Sequence, residues 1–162
     1  MNEFGFRCSS CGEWHTQMPD LAFRAPLFWN EADGSRTPDD VLTSDLCILG
    51  DHRFIRCTLR IPIVGRDANL GWGIWISQSH ENFDLYRREA DAHHGYRSFG
   101  YLANRLPDYP DTLNLSTMAV WQSAGKRPLV ELEPSDHPLF KDSVDGISFD
   151  RAVKFAELVL HR

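Results

Sequence analysis

The segment from residue 54 to residue 64 constrains the fold most, because its side chains alternate between apolar and polar. Apolar side chains occupy every second position, at Ile55, Cys57, Leu59, Ile61 and Ile63. Arg56, Thr58 and Arg60 lie between them. A strand with this period buries one face against a core and turns the other away from it. Pro62 indicates that the strand ends there or lies at an edge of its sheet.

Further strands and two hairpins are expected around this segment. The other candidate strands are rich in β-branched and aromatic residues or alternate, and they are residues 46–49, 72–77, 99–104, 113–121 and 128–133. The connection 65–71 is short enough for one hairpin, and a turn at 123–127 makes a second. Proline, glycine and acidic residues in 24–45 predict an irregular loop with one helical turn near 38–42.

Two segments have the periodicity of amphipathic helices. Ser79 is a suitable N-cap for a middle helix that carries apolar residues at helical spacing from Phe83 to Ala90. Ser148 likewise predicts the start of a C-terminal helix. The apolar stripe expected for that helix is Phe149, Ala152, Val153, Ala156, Val159 and Leu160.

Together these elements predict an α+β fold: a mostly antiparallel sheet with one middle helix, a packed C-terminal helix and an N-terminal segment like a zinc knuckle. The length of 162 residues suits a single domain, 1–162. Its expected parts are a Cys-x-x-Cys knuckle in 1–20 that Pro19 closes, a strand-rich core in 46–133 and the C-terminal helix in 148–161.

Charge and hydropathy exclude several classes of partner. The chain has 17 basic and 23 acidic residues, a net charge of −6, which disfavours attraction to phosphate backbones. We therefore expect no nucleic-acid partner. No apolar run approaches the roughly 18 residues of a membrane span, and the first residues do not form a signal peptide. These features predict a cytoplasmic protein with no membrane contact, in which the four cysteines are thiols or metal ligands.

The strongest local motif is the pair Cys8 and Cys11, followed by Gly12. Two thiolates at this spacing, with a glycine that permits a positive φ, form half of a tetrahedral Zn²⁺ site. His15 is the candidate third ligand, and the fourth is to be sought among Cys47, His52, His137 and His161.

The ligand set put forward from the sequence is Cys8, Cys11, His15 and Cys47, with Zn²⁺ as the cofactor. Two alternatives stay open. The thiols are free in a turn, or they form a redox dithiol. The second requires a helix directly after the pair, and residues 12–15 have no helical period.

A second cluster combines acids with an imidazole at Glu131, Glu133, Asp136 and His137. Such a group suits general acid–base catalysis if a cleft surrounds it. The alternative is that the two glutamates, two residues apart on a strand, share a solvated face and His137 lies in a loop. Aromatic residues in or beside the strands would stack on a ligand or fill the core, and they are Trp72, Trp75, Phe99, Tyr101, Tyr109 and Trp121.

Spaced blocks with a common pattern run through nearly the whole chain, at residues 6–15, 54–56, 59–63, 72–77, 104–113 and 127–139. Together they resemble an uncharacterised bacterial family, domain of unknown function 2199. The resemblance implies a bacterial cytosolic protein and carries no activity with it. One departure is Cys57, which stands where the family pattern has glycine, so the resemblance implies no ligand role for that residue.

Three functions follow as hypotheses. The first is a zinc-binding, non-enzymatic protein that acts through a protein partner or a small ligand. The second is a metal-dependent or acid–base enzyme that uses Cys8, Cys11, His15 and His137. The third, from size and negative charge, is an immunity-type protein that blocks a basic toxin. The sequence leaves the oligomeric state open.

Overall fold

The computed structural model describes residues 5–16, 21–123 and 125–161. In chain order its elements are β1 (Phe6–Arg7), β2 (Trp14–His15), β3 (Leu21–Ala22), α1 (Leu27–Glu31), β4 (Val41–Leu42), β5 (Leu46–Leu49), β6 (His52–Pro62), β7 (Asn69–Gln78), α2 (His80–Glu89), a 3₁₀ turn (Ala90–His93), β8 (Arg97–Tyr101), β9 (Ser116–Val120), β10 (Leu129–Leu132), α3 (Pro138–Asp145) and α4 (Phe149–Leu160). This arrangement confirms the α+β class. Pro19 lies outside the described residues.

The long hairpin of β6 and β7 organises the main sheet. Its register runs from Arg53 opposite Gln78 to Pro62 opposite Asn69. The sheet order is β3-β7-β6-β10-β9-β8, and β5, which also pairs with β4, shares the second edge of β6 with β10. Of these pairings, β3 with β7 and β10 with β6 are parallel and the others antiparallel. Both expected hairpins and the mostly antiparallel sheet are therefore confirmed.

Strand β8, at one edge of the sheet, also lies beside β7, which is next to the opposite edge strand. An isolated bridge joins Ile76 of β7 to Leu102, directly after β8, and the Ala103 N–H donates to the Trp75 carbonyl at 2.8 Å. Gly100 lies so close to β7 that a Cβ there would collide with the Ser77 carbonyl oxygen and the Ile76 side chain. The sheet thus curls around its own apolar face.

The core contains the alternating face of β6 together with buried aromatic rings. Ile55, Leu59 and Ile61 are at most 1% exposed. Trp72 and Trp121 are buried with them, which supports the core-filling interpretation of these rings. Phe99 and Tyr101, by contrast, are exposed on β8.

Helix α4 buries two faces instead of one. Ala152 and Phe155 pack on the sheet core, where the Phe155 ring meets Trp72 edge-on at 5.4 Å. Val153 and Ala156 belong to a second cluster with Phe6 and Cys8 of the N-terminal segment. The expected stripe is therefore partly wrong, because it omitted Phe155 and included Leu160, which is 37% exposed.

The capping predictions are confirmed and the loop predictions are partly wrong. Ser79 accepts from the Asn82 N–H and Ser148 from the Arg151 N–H. The region 24–45 contains α1, and the helical turn expected near 38–42 is a single turn at 38–39, closed by the hydrogen bond from the Asp40 N–H to the Thr37 carbonyl at 3.1 Å, after which β4 pairs with β5. Helix α3, which begins directly after His137, is not among the elements expected from the sequence. Among the described helices, none combines the length and apolarity needed to cross a bilayer.

Candidate metal centre

A tight turn between β1 and β2 presents the two cysteines of the motif. The Cys8 N–H donates to the Glu13 carbonyl and the Gly12 N–H to the Cys8 carbonyl, both at 2.9 Å. Gly12 adopts a φ of 74°, in the left-handed region that favours glycine. The expected knuckle is therefore present, and it is a hairpin turn without helix after the cysteines.

Four ligand atoms converge at this turn. Those of Cys8, Cys11, His15 and His161 all lie within 4.8 Å of one another. The Cys8 Sγ lies 2.9 Å from the His161 Nε2, and the Cys11 Sγ lies 3.5 Å from the His15 Nε2. Tetrahedral zinc, with bonds of about 2.3 Å to sulfur and about 2.0 Å to nitrogen, separates sulfur and nitrogen ligands by roughly 3.6 Å. Shifts of less than about 1 Å would bring both pairs to that separation.

Helix α4 brings His161 to the turn because the hairpin docks on that helix. Both the backbone N–H and the hydroxyl of Ser9 donate to the Glu157 carboxylate, at 2.9 and 2.8 Å. Phe6 and Cys8 are buried against Ala156. Polar and apolar contacts thus fix the end of α4, and His161 follows its last residue.

The electrostatics of the turn favour a thiolate at Cys8. Burial of the sulfur alone would raise its pKa, but the backbone N–H groups of Cys11 and Ser10 and the side chains of His161 and Cys11 lower the pKa of Cys8 to about 6. Hydrogen bonds from Ser9 likewise lower the pKa of Glu157 despite partial desolvation. Both anions are held by donors from the opposite segment or from the turn itself.

The structure places the other cysteines in the sheet. Cys47, the fourth ligand put forward from the sequence, is buried in β5 within a cluster that contains Phe54 and Trp75. Burial, with a smaller effect of Asp40, raises the pKa of Cys47 to about 12. Complete burial also raises the pKa of Cys57. The structure therefore groups His161, and not Cys47, with the other three expected ligands.

The acid and imidazole cluster has structural partners. The His137 Nδ1 accepts from the Leu139 N–H at the start of α3, so its Nε2 carries the proton and donates to the carbonyls of Pro110 and Asp111 at 3.0 and 3.1 Å. Glu131 forms an exposed ion pair with Arg97 at 2.6 Å. These contacts favour the structural interpretation of His137 and Glu131.

From the sequence, His161 is one of four candidates for the fourth ligand. One feature of the sequence of α4 favours it over the other three. Apolar residues of α4 extend around more than the single stripe a sheet requires, which indicates a second partner for the helix. That partner is the N-terminal hairpin. A helix packed against the hairpin carries the residue after its C-terminus toward the cysteines.

Comparison with known proteins identifies a family but no relative of known function or structure. The model of a family described as an uncharacterised protein conserved in bacteria, DUF2199, matches residues 7–147. No curated protein and no solved structure gives a significant match. The matched range includes Cys8, Cys11 and His15 and ends before α4.

Proposed function

The chain belongs to this family of uncharacterised bacterial proteins, and from its site we propose that it binds one Zn²⁺ through Cys8, Cys11, His15 and His161. The observation that carries the proposal is the convergence of these four ligand atoms within 4.8 Å. The ion would serve the structure, and the protein would act without catalysis at the metal, through a protein partner or a small ligand.

The donor set selects the metal. Two thiolates and two imidazoles are the ligands of structural zinc sites, whereas Mg²⁺ and Ca²⁺ prefer oxygen ligands. The lowered pKa of Cys8 agrees with a thiolate donor. Thiolate ligands also require a reducing compartment, so the proposal includes a cytoplasmic location.

The number of protein ligands argues for a structural role. Four side chains fill the four positions of a tetrahedral ion and leave none for a substrate or an activated water. The hairpin that carries three of them has strands of two residues each, too short for stability of their own. A metal that links it to His161 fastens the hairpin to α4.

Metal analysis of the purified full chain tests the proposal. We expect about one zinc per chain, and loss of that zinc in Cys11→Ser and in His161→Ala. His94→Ala is the matched control, because His94 is exposed and lies outside the four-residue group. Cys47→Ala should keep its zinc as well, since Cys47 lies in β5.

Cobalt substitution tests the closed shell separately. A Co²⁺-loaded protein should show the intense visible bands of a tetrahedral ion with thiolate ligands, and added azide or imidazole should leave them unchanged. Background zinc in the unmodified chain would overturn the proposal. Bands that shift on adding azide would overturn the structural role and favour an open, catalytic position.

A further inference from the structure

The face of the β6–β7 hairpin that is turned away from the core carries a concentration of positive charge. Arg56, Thr58 and Arg60 alternate along β6 on this face. Directly across on β7, Gly73 lies opposite Thr58 and Gly71 opposite Arg60. Gly71 leaves the floor beside Arg60 without a side chain, whereas the Ala22 Cβ lies 3.1 Å from the position a Cβ would take on Gly73.

This floor belongs to an open cleft made of two adjoining hollows. The larger, of about 510 Å³, is lined by residues that include Arg60, Lys126 and Arg127. The smaller, of about 200 Å³, includes Arg56 and Gly73. Thr58 and Arg127 line both hollows, so the two adjoin each other. We call this region, defined by Arg56, Thr58, Arg60, Gly71, Gly73, Lys126 and Arg127, the basic cleft.

The charges of the basic cleft are unbalanced. Among the described lining residues, Arg60, Lys126 and Arg127 face one carboxylate, Asp45, which accepts from the Arg127 Nε at 2.8 Å. Within the described ranges, no carboxylate lies at ion-pair distance from Arg60 or Lys126. In a chain of net charge −6, such a group is a local exception.

Two of the arginines are already positioned. The Arg56 Nη1 donates to the Ser44 carbonyl at 3.2 Å, and Asp45 holds Arg127. A guanidinium that is held in place loses less conformational entropy when it binds an oxyanion. Gly71 adds access, because a Cβ built on it meets no atom within 4 Å and therefore extends into open space.

We propose that the basic cleft binds a small phosphorylated molecule with more than one negative charge. Guanidinium groups match phosphate oxygens with paired hydrogen bonds, and bare glycine backbone permits close approach. The volume of the larger hollow falls in the range of small-molecule sites, about 300–1,000 Å³. The negative charge of the rest of the chain disfavours a nucleic-acid backbone, which would extend beyond the cleft.

The proposal is independent of the zinc site, since none of Cys8, Cys11, His15 and His161 lines the basic cleft. A chain that lacks zinc in metal analysis can still bind the anion. A chain that holds zinc can fail to bind it. The two proposals therefore fail separately.

Titration of the ¹⁵N-labelled full chain with inorganic pyrophosphate tests the basic cleft. We expect saturable shifts of the Gly71 and Gly73 amides and of the arginine Nε–H signals. Arg60→Gln should weaken binding about tenfold, because one charge-assisted contact is lost. Arg88→Gln is the matched control on α2 and should leave the dissociation constant unchanged.

A second variant blocks the cleft without removing a cation. Gly71→Asp places a carboxylate in the open space and should weaken binding by about a hundredfold. Asn30→Asp adds the same charge at an exposed position of α1 and should have no effect. Circular dichroism checks that both variants stay folded.

The other outcomes overturn the assignment. Absence of saturation up to about 10 mM pyrophosphate, weaker than any specific site needs, removes the cleft as a phosphate site. Shifts that Arg60→Gln leaves unchanged place binding elsewhere. Tighter binding of citrate than of pyrophosphate would show that the cleft prefers a carboxylate ligand to a phosphate. If the chain binds a DNA duplex at micromolar concentration and Arg60→Gln weakens that binding, the ligand of the cleft is a nucleic acid and not a small molecule.

Discussion

The N-terminal hairpin and the curled sheet maintain their structures by different means. The β6–β7 hairpin has ten residue pairs and a core of buried aliphatic and aromatic side chains. The N-terminal hairpin has two residue pairs and buries Phe6 and Cys8 against one helix. It compensates with a bidentate contact from Ser9 to Glu157 and with four converging ligands.

The cysteines of the two regions differ in a corresponding way. Donors around Cys8 lower its pKa to about 6, whereas complete burial raises the pKa of Cys57. The first is a charged group at the junction of two segments and the second an apolar filler. A short segment without enough apolar area needs specific polar or metal contacts, and a large sheet does not.

The largest effect on stability is expected in the sheet region. Phe155→Ala removes the ring that packs on Trp72 and Tyr109. It should lower the free energy of unfolding by about 3–5 kcal/mol through lost burial and the cavity left behind. Urea denaturation measures the change. A loss below about 1 kcal/mol would mean that α4 is not part of the core.

Removal of zinc should act first on the hairpin. At free zinc a hundredfold above its dissociation constant, the ion contributes about 2.7 kcal/mol, which a chelator removes. Hydrogen exchange should then accelerate at the amides of residues 6–15 and stay slow in β6 and β7. Equal acceleration in both regions would erase the distinction between them.

The cysteine comparison predicts a smaller and more selective effect. Cys57→Ser buries a hydroxyl in the sheet core and should cost about 1–3 kcal/mol with zinc content unchanged. Cys11→Ser, at an exposed position, should lose zinc. Its stability should match that of the unmodified chain once both are metal-free. Zinc loss in Cys57→Ser would contradict the division of roles.

The polar contact of the hairpin should have the smallest effect. Glu157→Gln keeps the size of the side chain and removes the charge that Ser9 contacts, so it should cost less than about 1 kcal/mol at neutral pH. The folded-state pKa of Glu157 is lowered, so its contribution is present above about pH 4.3 and is lost as the pH falls through the folded value. Unfolding of both chains at pH 7 and at pH 3 measures it, and the difference should be smaller at the lower pH.

The sequence predicted those elements whose structure depends on residues close together in the chain. The alternation in β6 and the caps at Ser79 and Ser148 depend on residues a few positions apart. Helix α1, of five residues, begins after Pro26 in a segment rich in loop-forming residues, and no period is visible over so short a length.

The candidate site was predictable in part for the same reason. Cys8, Cys11 and His15 lie within eight positions of one another, so their spacing alone suggested the group. His161 follows Cys8 by 153 residues, and its place depends on how α4 packs between the hairpin and the sheet. Pairing over such a distance has no signature in a single sequence.

The contact between Cys8 and His161 also sets an order of assembly. The β6–β7 hairpin closes through residues near in sequence, so it forms early and at little entropic cost. The Cys8 contact joins the most distant described segments of the chain and awaits α4, which follows every other described element in chain order. During synthesis the two knuckle thiols are thus exposed to other metals and oxidants until α4 is in place. Occupancy of the centre in a purified sample therefore reports that α4 has docked on the N-terminal hairpin.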